Sequence, residues 1–317
     1  MAYTAIDDPS DYFDTKLYTG TGSNNITLTM DNVGWVWMKN RTNSGNHILM
    51  DIVRGGNNSN SQKPVLVSNI NGAEQGSDIT ATGGVAFGST STVIGSDNGG
   101  YNYNNSASSN YVAWHWGTGT SFTNDASSTS VGSIDSAGSF SNDAGFSICS
   151  FTGNGTSGAS VKHGLSTKPA MMIIKNRDEA DSWQVYHHKN TSAPATETLQ
   201  LNETGATVDT ANRWNDTEPT TAILTLGDNP TVNKNGIKYI VYIFSEKQGY
   251  SKFGSYAGNG NADGAFVYTG FKPAFLLMKN ASVDRDWNMF DTKRDPINAS
   301  TKKYILPNIN NAEAASN

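Results

Sequence analysis

The stretch "MMIIKNRDEADSWQVYH" (residues 171–187) decides the fold of this chain, because it joins two different β-strand patterns through a polar turn. Its first residues are continuously apolar, as in a strand that is buried on both faces. "WQVYH" alternates instead, which places Trp183 and Val185 on one face and Gln184 and Tyr186 on the other. The stretch therefore predicts two short strands of different burial, joined by a turn.

The same pattern occurs three times, which indicates an internal repeat. The other copies read "VWMKNRTNSGNHILMD" (36–51) and "LLMKNASVDRDWNMFD" (276–291). An aromatic residue and a glycine-spaced turn precede each copy, in "YTGTG" (18–22), "FTGNGTSG" (151–158) and "YAGNGNADG" (256–264). A hydrophobic-then-polar block follows each copy, in "VLVSNINGAE" (65–74), "LQLNETGAT" (199–207) and "ILPNINNAE" (305–313). Blocks in this fixed order are typical of one fold unit that has been copied along the chain.

The first two copies also share a closing segment, "YVAWHW" (111–116) and "YIVYIF" (239–244). It begins 93 residues after Tyr18 in the first copy and 88 residues after Phe151 in the second. A third copy that starts at Tyr256 would need a similar spacing, which the 317 residues do not provide. Folded proteins avoid unpaired strand edges. We therefore expect the chain to be the N-terminal piece of a longer polypeptide, or a neighbouring subunit to complete the third sheet.

Composition favours an all-β protein. Charged residues make up 16%, and the chain contains 32 glycines. Asn, Ser and Thr are abundant, and such residues favour turns over helices. The net charge of −6 provides no basic field for nucleic acid. We find no basic segment followed by an apolar run at the N-terminus and no apolar stretch of membrane-spanning length. The lone cysteine, Cys149, excludes an intramolecular disulfide and is expected to be buried and inert.

Strands of five to seven residues between Gly, Asn, Asp and Ser turns predict tandem antiparallel β-sandwich repeats. We assign residues 1–117 to the first repeat with an N-terminal arm and residues 144–249 to the second repeat. Residues 250–317 form the incomplete third repeat. Residues 118–143 are rich in Ser, Gly and Thr and are predicted to form a linker or a strap on a neighbour.

Several sequence patterns could indicate a catalytic or metal-binding site, but a structural role explains each of them better. "GNGNADG" (258–264) resembles part of a calcium loop, but Gly270 occupies the twelfth position, where such a loop needs a carboxylate. His187 aligns with Asp51 and Asp291, so a dedicated base is disfavoured there. The acids of "NRDEADSW" (176–183) lie in a turn, where solvation explains them better than glycoside hydrolysis. We therefore predict no enzyme activity, no cofactor and no metal site.

Two loops remain as candidate ligand-contact sites. "RWNDTEPTT" (213–221) offers Trp214, Asn215 and Asp216, which could stack on and hydrogen-bond a sugar or could equally anchor the loop to its own repeat. Tyr101 and Tyr103 are amphipathic candidates of the same kind, with the same two interpretations.

The blocks "FTGNGTSGASVKHGLSTKPAMMIIKNR", "RWNDTEPT" and "GYSKFGSYAGNGNADGAFVYTGFKPAFLLMK" together resemble a repeated domain of uncharacterised function in virion proteins of tailed bacteriophages, notably marine phages. The start "MAYTAIDDPSDYF" is similar to the start of such proteins. The resemblance implies concanavalin-like or SPRY-type jelly-roll sandwiches. It also implies a tail fibre or another virion structural protein, and it suggests a homotrimer.

From these observations we expect a virion structural protein, part of a tail fibre or similar appendage that supports host attachment by binding and assembly. Its partners would be other virion proteins, further copies of itself and a host surface glycan or protein, without nucleic acid or membrane insertion. It would be made in the host cytoplasm and released by lysis. A capsid decoration or head-associated protein is the closest alternative. A secreted polysaccharide-binding or polysaccharide-cleaving protein is the alternative from another class.

Overall fold

The computed structural model describes residue 4 and residues 6–23, 25–55, 64–75, 85–95, 104–296 and 302–316. Within these residues the chain is built mostly of short antiparallel strands. They are β1 (Phe13–Thr19), β2 (Ile26–Thr29), β3 (Val33–Asn40), β4 (Ile48–Asp51), β5 (Leu66–Val67), β6 (Val85–Phe87), β7 (Ser91–Ile94), β8 (Asn110–Gly117), β9 (Thr120–Asn124), β10 (Ser136–Ser141), β11 (Phe146–Thr152), β12 (Ala159–Lys162), β13 (Met171–Asn176), β14 (Gln184–His187), β15 (Glu197–Gln200), β16 (Val208–Asp209), β17 (Ile223–Leu226), β18 (Lys238–Phe244), β19 (Phe275–Met278), β20 (Asn288–Asp291), β21 (Lys302–Tyr304) and β22 (Ala314–Ser316). The helices are single turns, α1 (Ala126–Thr129), α2 (Pro230–Asn233) and the 3₁₀ turns Pro9–Asp11 and Pro194–Thr196.

The first two repeats have the same sheet topology. In repeat 1 the order is β1-β8-β3-β4-β5, and in repeat 2 the equivalent strands β11-β18-β13-β14-β15 lie inside an eight-stranded sheet. The closing strand is central in both sheets, since β8 lies between β1 and β3 and β18 lies between β11 and β13. A smaller sheet accompanies each large one, β2-β7-β6 in repeat 1 and β12-β17 in repeat 2.

The three repeats share one central hydrophobic cluster. It contains Trp35 and Trp114 of repeat 1, Trp183 of repeat 2, and Trp287 and Met289 of repeat 3. Each large sheet contributes the side chains of one face, as the alternating pattern predicts. The repeats are therefore packed against one another around a common core.

The opposite faces of the large sheets form separate clusters. Val36 and Met38 of β3 pack with residues of β2, β6 and β7 in repeat 1. Met172 and Ile174 of β13 pack with residues of β12 and β17 in repeat 2. The continuously apolar strands β3 and β13 are thus buried on both faces, which explains why their sequences lack alternation.

Residues 118–143, which the sequence predicted as a linker or a strap on a neighbour, do not form a linker. They form β9, α1 and β10, and β9 and β10 extend the sheet of repeat 2 beyond β11. Asp125 caps α1 by accepting a hydrogen bond from the Ser128 amide. The strands pack closely here, because a Cβ at Gly138 would stand within 3 Å of the Ile148 carbonyl and the Phe122 ring. The composition therefore reflects close strand packing rather than a flexible tether.

A closed cycle of hydrogen bonds joins the repeats at equivalent positions. The Trp183 indole N–H of repeat 2 donates to the Val67 carbonyl of repeat 1, at 3.0 Å. The Trp287 indole of repeat 3 donates to Gln200 of repeat 2, at 2.9 Å. His47 of repeat 1 lies at the same position of its repeat, and its Nε2 is 3.1 Å from the Leu306 carbonyl of repeat 3. Repeat 2 thus bonds to repeat 1 through Trp183, repeat 3 to repeat 2 through Trp287, and repeat 1 to repeat 3 through His47. The three contacts form a closed ring with pseudo-threefold symmetry.

Candidate functional site

The Trp214 loop is anchored by its aromatic residue. Trp214 is buried, its indole N–H donates to the Glu197 carbonyl at 2.9 Å, and its ring packs edge-to-face on Tyr186. Asn215 accepts a hydrogen bond from the Ser157 hydroxyl at 2.7 Å, while Asp216 is exposed. Trp214 therefore offers no free face on which a sugar could stack, and the arrangement fits the anchoring interpretation. Tyr101 and Tyr103 lie outside the described residues.

The acids of the turn after β13 have separate structural partners. Asp178 accepts a hydrogen bond from the Lys238 amide, Glu179 forms an ion pair with Lys234, and Asp181 accepts from the Asn176 amide group. These contacts shape the turn and tie it to the loop before β18. In the described part of the chain, no group of three or more His, Cys, Asp and Glu side chains is arranged to hold a metal ion.

The glycine-rich turn at residues 258–264 is held by its own side chains. The Asn259 side-chain Oδ1 accepts from the Asn261 backbone N–H at 3.1 Å, and the Asn259 side-chain Nδ2 donates to the Asp263 backbone carbonyl at 2.9 Å. Gly260 has a φ of 70°, a conformation that favours glycine. The sequence motif therefore builds a local turn.

Two glutamates connect the repeats electrostatically, and the sequence interpretation missed them. Glu74, which follows β5 of repeat 1, binds Arg177 of repeat 2 through two contacts of 2.8 and 2.9 Å, and it also binds Arg54 at 3.0 Å. Arg54 is buried and paired with Asp51. Burial raises the pKa of Glu74, but the hydrogen bonds and charges of Arg177 and Arg54 outweigh this effect and hold the pKa below its usual value.

Glu313 repeats this arrangement between repeats 3 and 1. It binds Arg41 through two contacts of 2.9 Å and Arg294 at 3.1 Å, and Arg294 is paired with Asp291. The signal in the sequence is the shared ending "AE" in "VLVSNINGAE" and "ILPNINNAE". Repeat 2 has Thr207 at this position, and its backbone N–H still donates to the Ala281 carbonyl of repeat 3. These contacts fix the repeats relative to one another.

Repeat 3 exposes several large apolar side chains. We define the open surface as the side chains of Tyr256, Phe266, Val267, Tyr268 and Leu276. Phe266 is 89% exposed and Tyr268 is 71% exposed, although both are large aromatic residues. Several large apolar residues exposed within one repeat indicate an interaction site. The open surface is therefore the candidate functional site of the described structure.

The strand beside the open surface has an unpaired edge. β19 pairs with β20, and among the described strands no other pairs with it. Its inner face is partly buried against repeat 1, where the Phe275 ring lies 5.5 Å from Phe13 and 5.6 Å from Trp116. The edge and outer face are thus presented on a strand that the core holds in place.

Comparison with known proteins finds a family match but no annotated relative. The profile of a domain of unknown function, DUF7483, matches residues 8–317. Neither the curated proteins nor the solved structures contain a match. No helix in the described residues is long and apolar enough to cross a membrane.

Proposed function

We propose, for a chain that belongs to the DUF7483 family of domains of unknown function, the role of a bacteriophage virion structural protein. In this proposal the chain is part of a tail fibre or similar appendage and supports host attachment. It acts by binding and assembly, without catalysis. Its partners are other virion proteins and further copies of itself, in a closed symmetric oligomer that we expect to be a trimer. Its location is the virion.

The observation that carries this proposal is the combination of a rigid block with an exposed apolar surface. Three repeats share one core and are joined by a ring of hydrogen bonds and by two Glu–Arg networks. A tail appendage needs such a stiff unit to hold its host-binding end at a fixed position relative to the particle. The open surface, which includes the exposed rings of Phe266 and Tyr268, offers apolar contact area to another polypeptide segment.

We also propose that the repeats are β-sandwiches of the concanavalin or SPRY type. In repeat 2 the outer cluster contains residues of two sheets, such as Met172 of β13 and Leu224 of β17. In repeat 1 the corresponding cluster contains Val36 of β3 and Leu28 of β2. Sheets that meet face to face over such a cluster are the defining feature of a sandwich. A solved structure of the chain, compared with jelly-roll domains, tests this assignment.

The experiment that tests the virion role is localisation on intact particles. Antibodies against the chain are bound to purified particles of a phage that encodes it, and the label is located by electron microscopy. We expect label on the tail or its fibres. Label on the head would assign the chain to the capsid decoration alternative. Particles that lack the chain by mass spectrometry would overturn the virion role.

The host-attachment part has its own test. The isolated chain is applied to an array of bacterial surface glycans, with the Asp216→Ala variant beside it because this exposed acid lies in the Trp214 loop. Binding that Asp216→Ala weakens would assign the loop to receptor contact. A flat array at high protein concentration would contradict glycan-mediated attachment by this chain and leave assembly as its role.

A further inference from the structure

Two residues of the open surface, Leu276 and Val267, have buried counterparts in both other repeats. Leu276 is 45% exposed, whereas its counterparts Val36 and Met172 are 0% and 1% exposed. Val267 is exposed, whereas its counterparts Leu28 and Val161 are buried. Leu276 lies in β19, the counterpart of β3 and β13, whereas Val267 lies outside the described strands. We attribute both exposures to the strands that cover the counterparts.

Two strands provide that cover in repeat 2. β17 pairs with β12, which is the counterpart of residues 266–268, and it sets Leu224 opposite Val161. β18 pairs with β13, the counterpart of β19, along six residues. In repeat 1 the same places are filled by β7 and β8. Among the described residues of repeat 3, neither strand has a counterpart.

The pairing register is identical in the two complete repeats. Trp35 faces Trp116 and Asn40 faces Tyr111 in repeat 1, just as Met171 faces Phe244 and Asn176 faces Tyr239 in repeat 2. The same register on repeat 3 would run along residues 275–280. The free edge of β19 is therefore a template with a defined register.

Tyr256 is held in the position from which its counterparts stack on the closing strand of their repeats. Its counterparts stack on the first aromatic residue of the closing strand: Tyr18 on Tyr111 at 5.0 Å, and Phe151 on Tyr239 at 5.2 Å. The Tyr256 hydroxyl lies 3.8 Å from the Met278 sulfur, and the Tyr18 hydroxyl lies at the same distance from the equivalent sulfur of Met38. The ring is thus placed for stacking, while its face is exposed.

We propose that the open surface and the β19 edge bind two successive strands of the type of β17 and β18, on a polypeptide segment outside residues 1–317. The pattern of residues 219–246 defines its chemistry. An apolar strand covers residues 266–268, and an aromatic-rich strand follows that pairs with β19 and stacks a tyrosine or phenylalanine on Tyr256. This inference stands whether or not the chain is a virion protein.

A second folded copy of this chain does not supply such a segment. β8 and β18, the two segments of this type, each lie between two partners in their own sheets. Their release would break both sheets and expose buried residues such as Tyr111 and Tyr242. The occupant is therefore a segment that is free to add to an edge, as in strand addition generally.

The first experiment adds a synthetic peptide of residues 219–246 to the full 317-residue chain. Titration calorimetry measures its affinity, and hydrogen exchange with mass spectrometry follows residues 275–280. We expect saturable binding and amide exchange in this stretch that is slowed by about tenfold or more. A peptide of the same composition in scrambled order is the control and should do neither.

Variants locate the site on the chain. Leu276→Asp places a charge on the open surface and should weaken peptide binding by about tenfold or more, since a buried unpaired charge is costly. Leu17→Asp is the matched control, because Leu17 is 41% exposed in β1, on repeat 1. It should bind the peptide like the unmodified chain. Both side chains are exposed, so neither substitution removes a buried contact.

A covalent form of the experiment guards against an insoluble peptide. Residues 210–247 are attached after residue 317, which follows the repeat alignment, and exchange at residues 275–280 is measured again. Unchanged exchange in both the mixture and the fusion would overturn the proposal. Concentration-dependent dimers of the chain alone that protect β19 would also overturn it, because they would assign the surface to a second copy.

Discussion

Replacement of Glu74 by Gln tests whether the repeats are held together by the ion pairs between them. The substitution keeps the shape of the side chain and removes its charge. It weakens the two contacts to Arg177 of repeat 2 and the contact to Arg54, while Arg54 keeps its pair with Asp51. The expected result is a loss of stability that a surface ion pair would not produce.

The magnitude follows from burial. Breaking a fully buried pair costs about 3–5 kcal/mol, and a surface pair contributes about 0–1 kcal/mol. The Glu74 side chain is 16% exposed and Arg54 remains paired, so we expect about 2–3 kcal/mol for Glu74→Gln. Glu218→Gln is the matched control, because Glu218 pairs with Lys168 and its side chain is 47% exposed. We expect less than about 1 kcal/mol there.

Urea unfolding at pH 7 measures both variants, with an unchanged m-value as the sign that only stability has changed. The pKa of Glu74 is lowered in the folded chain, so its contribution is present above the pKa of an unfolded glutamate and is lost as the pH falls through the folded pKa. The difference between Glu74→Gln and the unmodified chain should therefore narrow as the pH falls below about 4.

Two results would refute this reasoning. Equal losses for Glu74→Gln and Glu218→Gln at pH 7 would show that the network between repeats contributes no more than a surface pair. A difference that stays constant down to acid pH would show that the effect does not come from the ionised carboxylate of Glu74.

Three further predictions follow from burial. Met289→Ala should lower the free energy of unfolding by about 2–5 kcal/mol, because Met289 lies in the core that all three repeats share. Circular dichroism should show a single unfolding transition with a midpoint at lower urea concentration. Burial lowers the pKa of His163 to about 4, so the free energy of unfolding should fall by about 1.5 kcal/mol because of this residue between pH 6.5 and 5, and His163→Gln should reduce that slope. Burial raises the pKa of Cys149 to about 12, so a thiol reagent should label it only after unfolding.

Strand positions and faces could be predicted from the sequence because a strand has a period of two. The alternation in "WQVYH" predicted Trp183 and Val185 on one face and Tyr186 on the other, and the structure places the first two in the central cluster and Tyr186 in an outer one. The repeated turn is also local. Asn40 and Asn176 each accept hydrogen bonds from the amides two and three residues further on. Short-range rules therefore sufficed for the elements themselves.

The relation between repeats could not be predicted in this way. Contacts such as Trp287 to Gln200 join residues that are far apart in the sequence, and no periodicity encodes them. The linker prediction failed for a related reason. Ser, Gly and Thr fit a tether and a closely packed strand equally well, and only the pairing of β10 with β11 and β9 distinguishes them. Trp214 illustrates the same limit, because a loop sequence does not show which way its aromatic residue points.

Repetition nevertheless extends what can be inferred beyond the described contacts. In one isolated domain, an exposed Leu276 would be an ordinary surface residue, since exposed apolar side chains are common. Here the same position occurs three times in the chain, and in two of the three repeats a strand buries it. β19 of repeat 3 is held in place by its inner face. We therefore expect its ligand to adopt the same register, to stack on Tyr256 as the closing strands stack on residues 18 and 151, and to provide the same apolar cover. The open surface is therefore a site whose ligand is specified by the chain's own other copies.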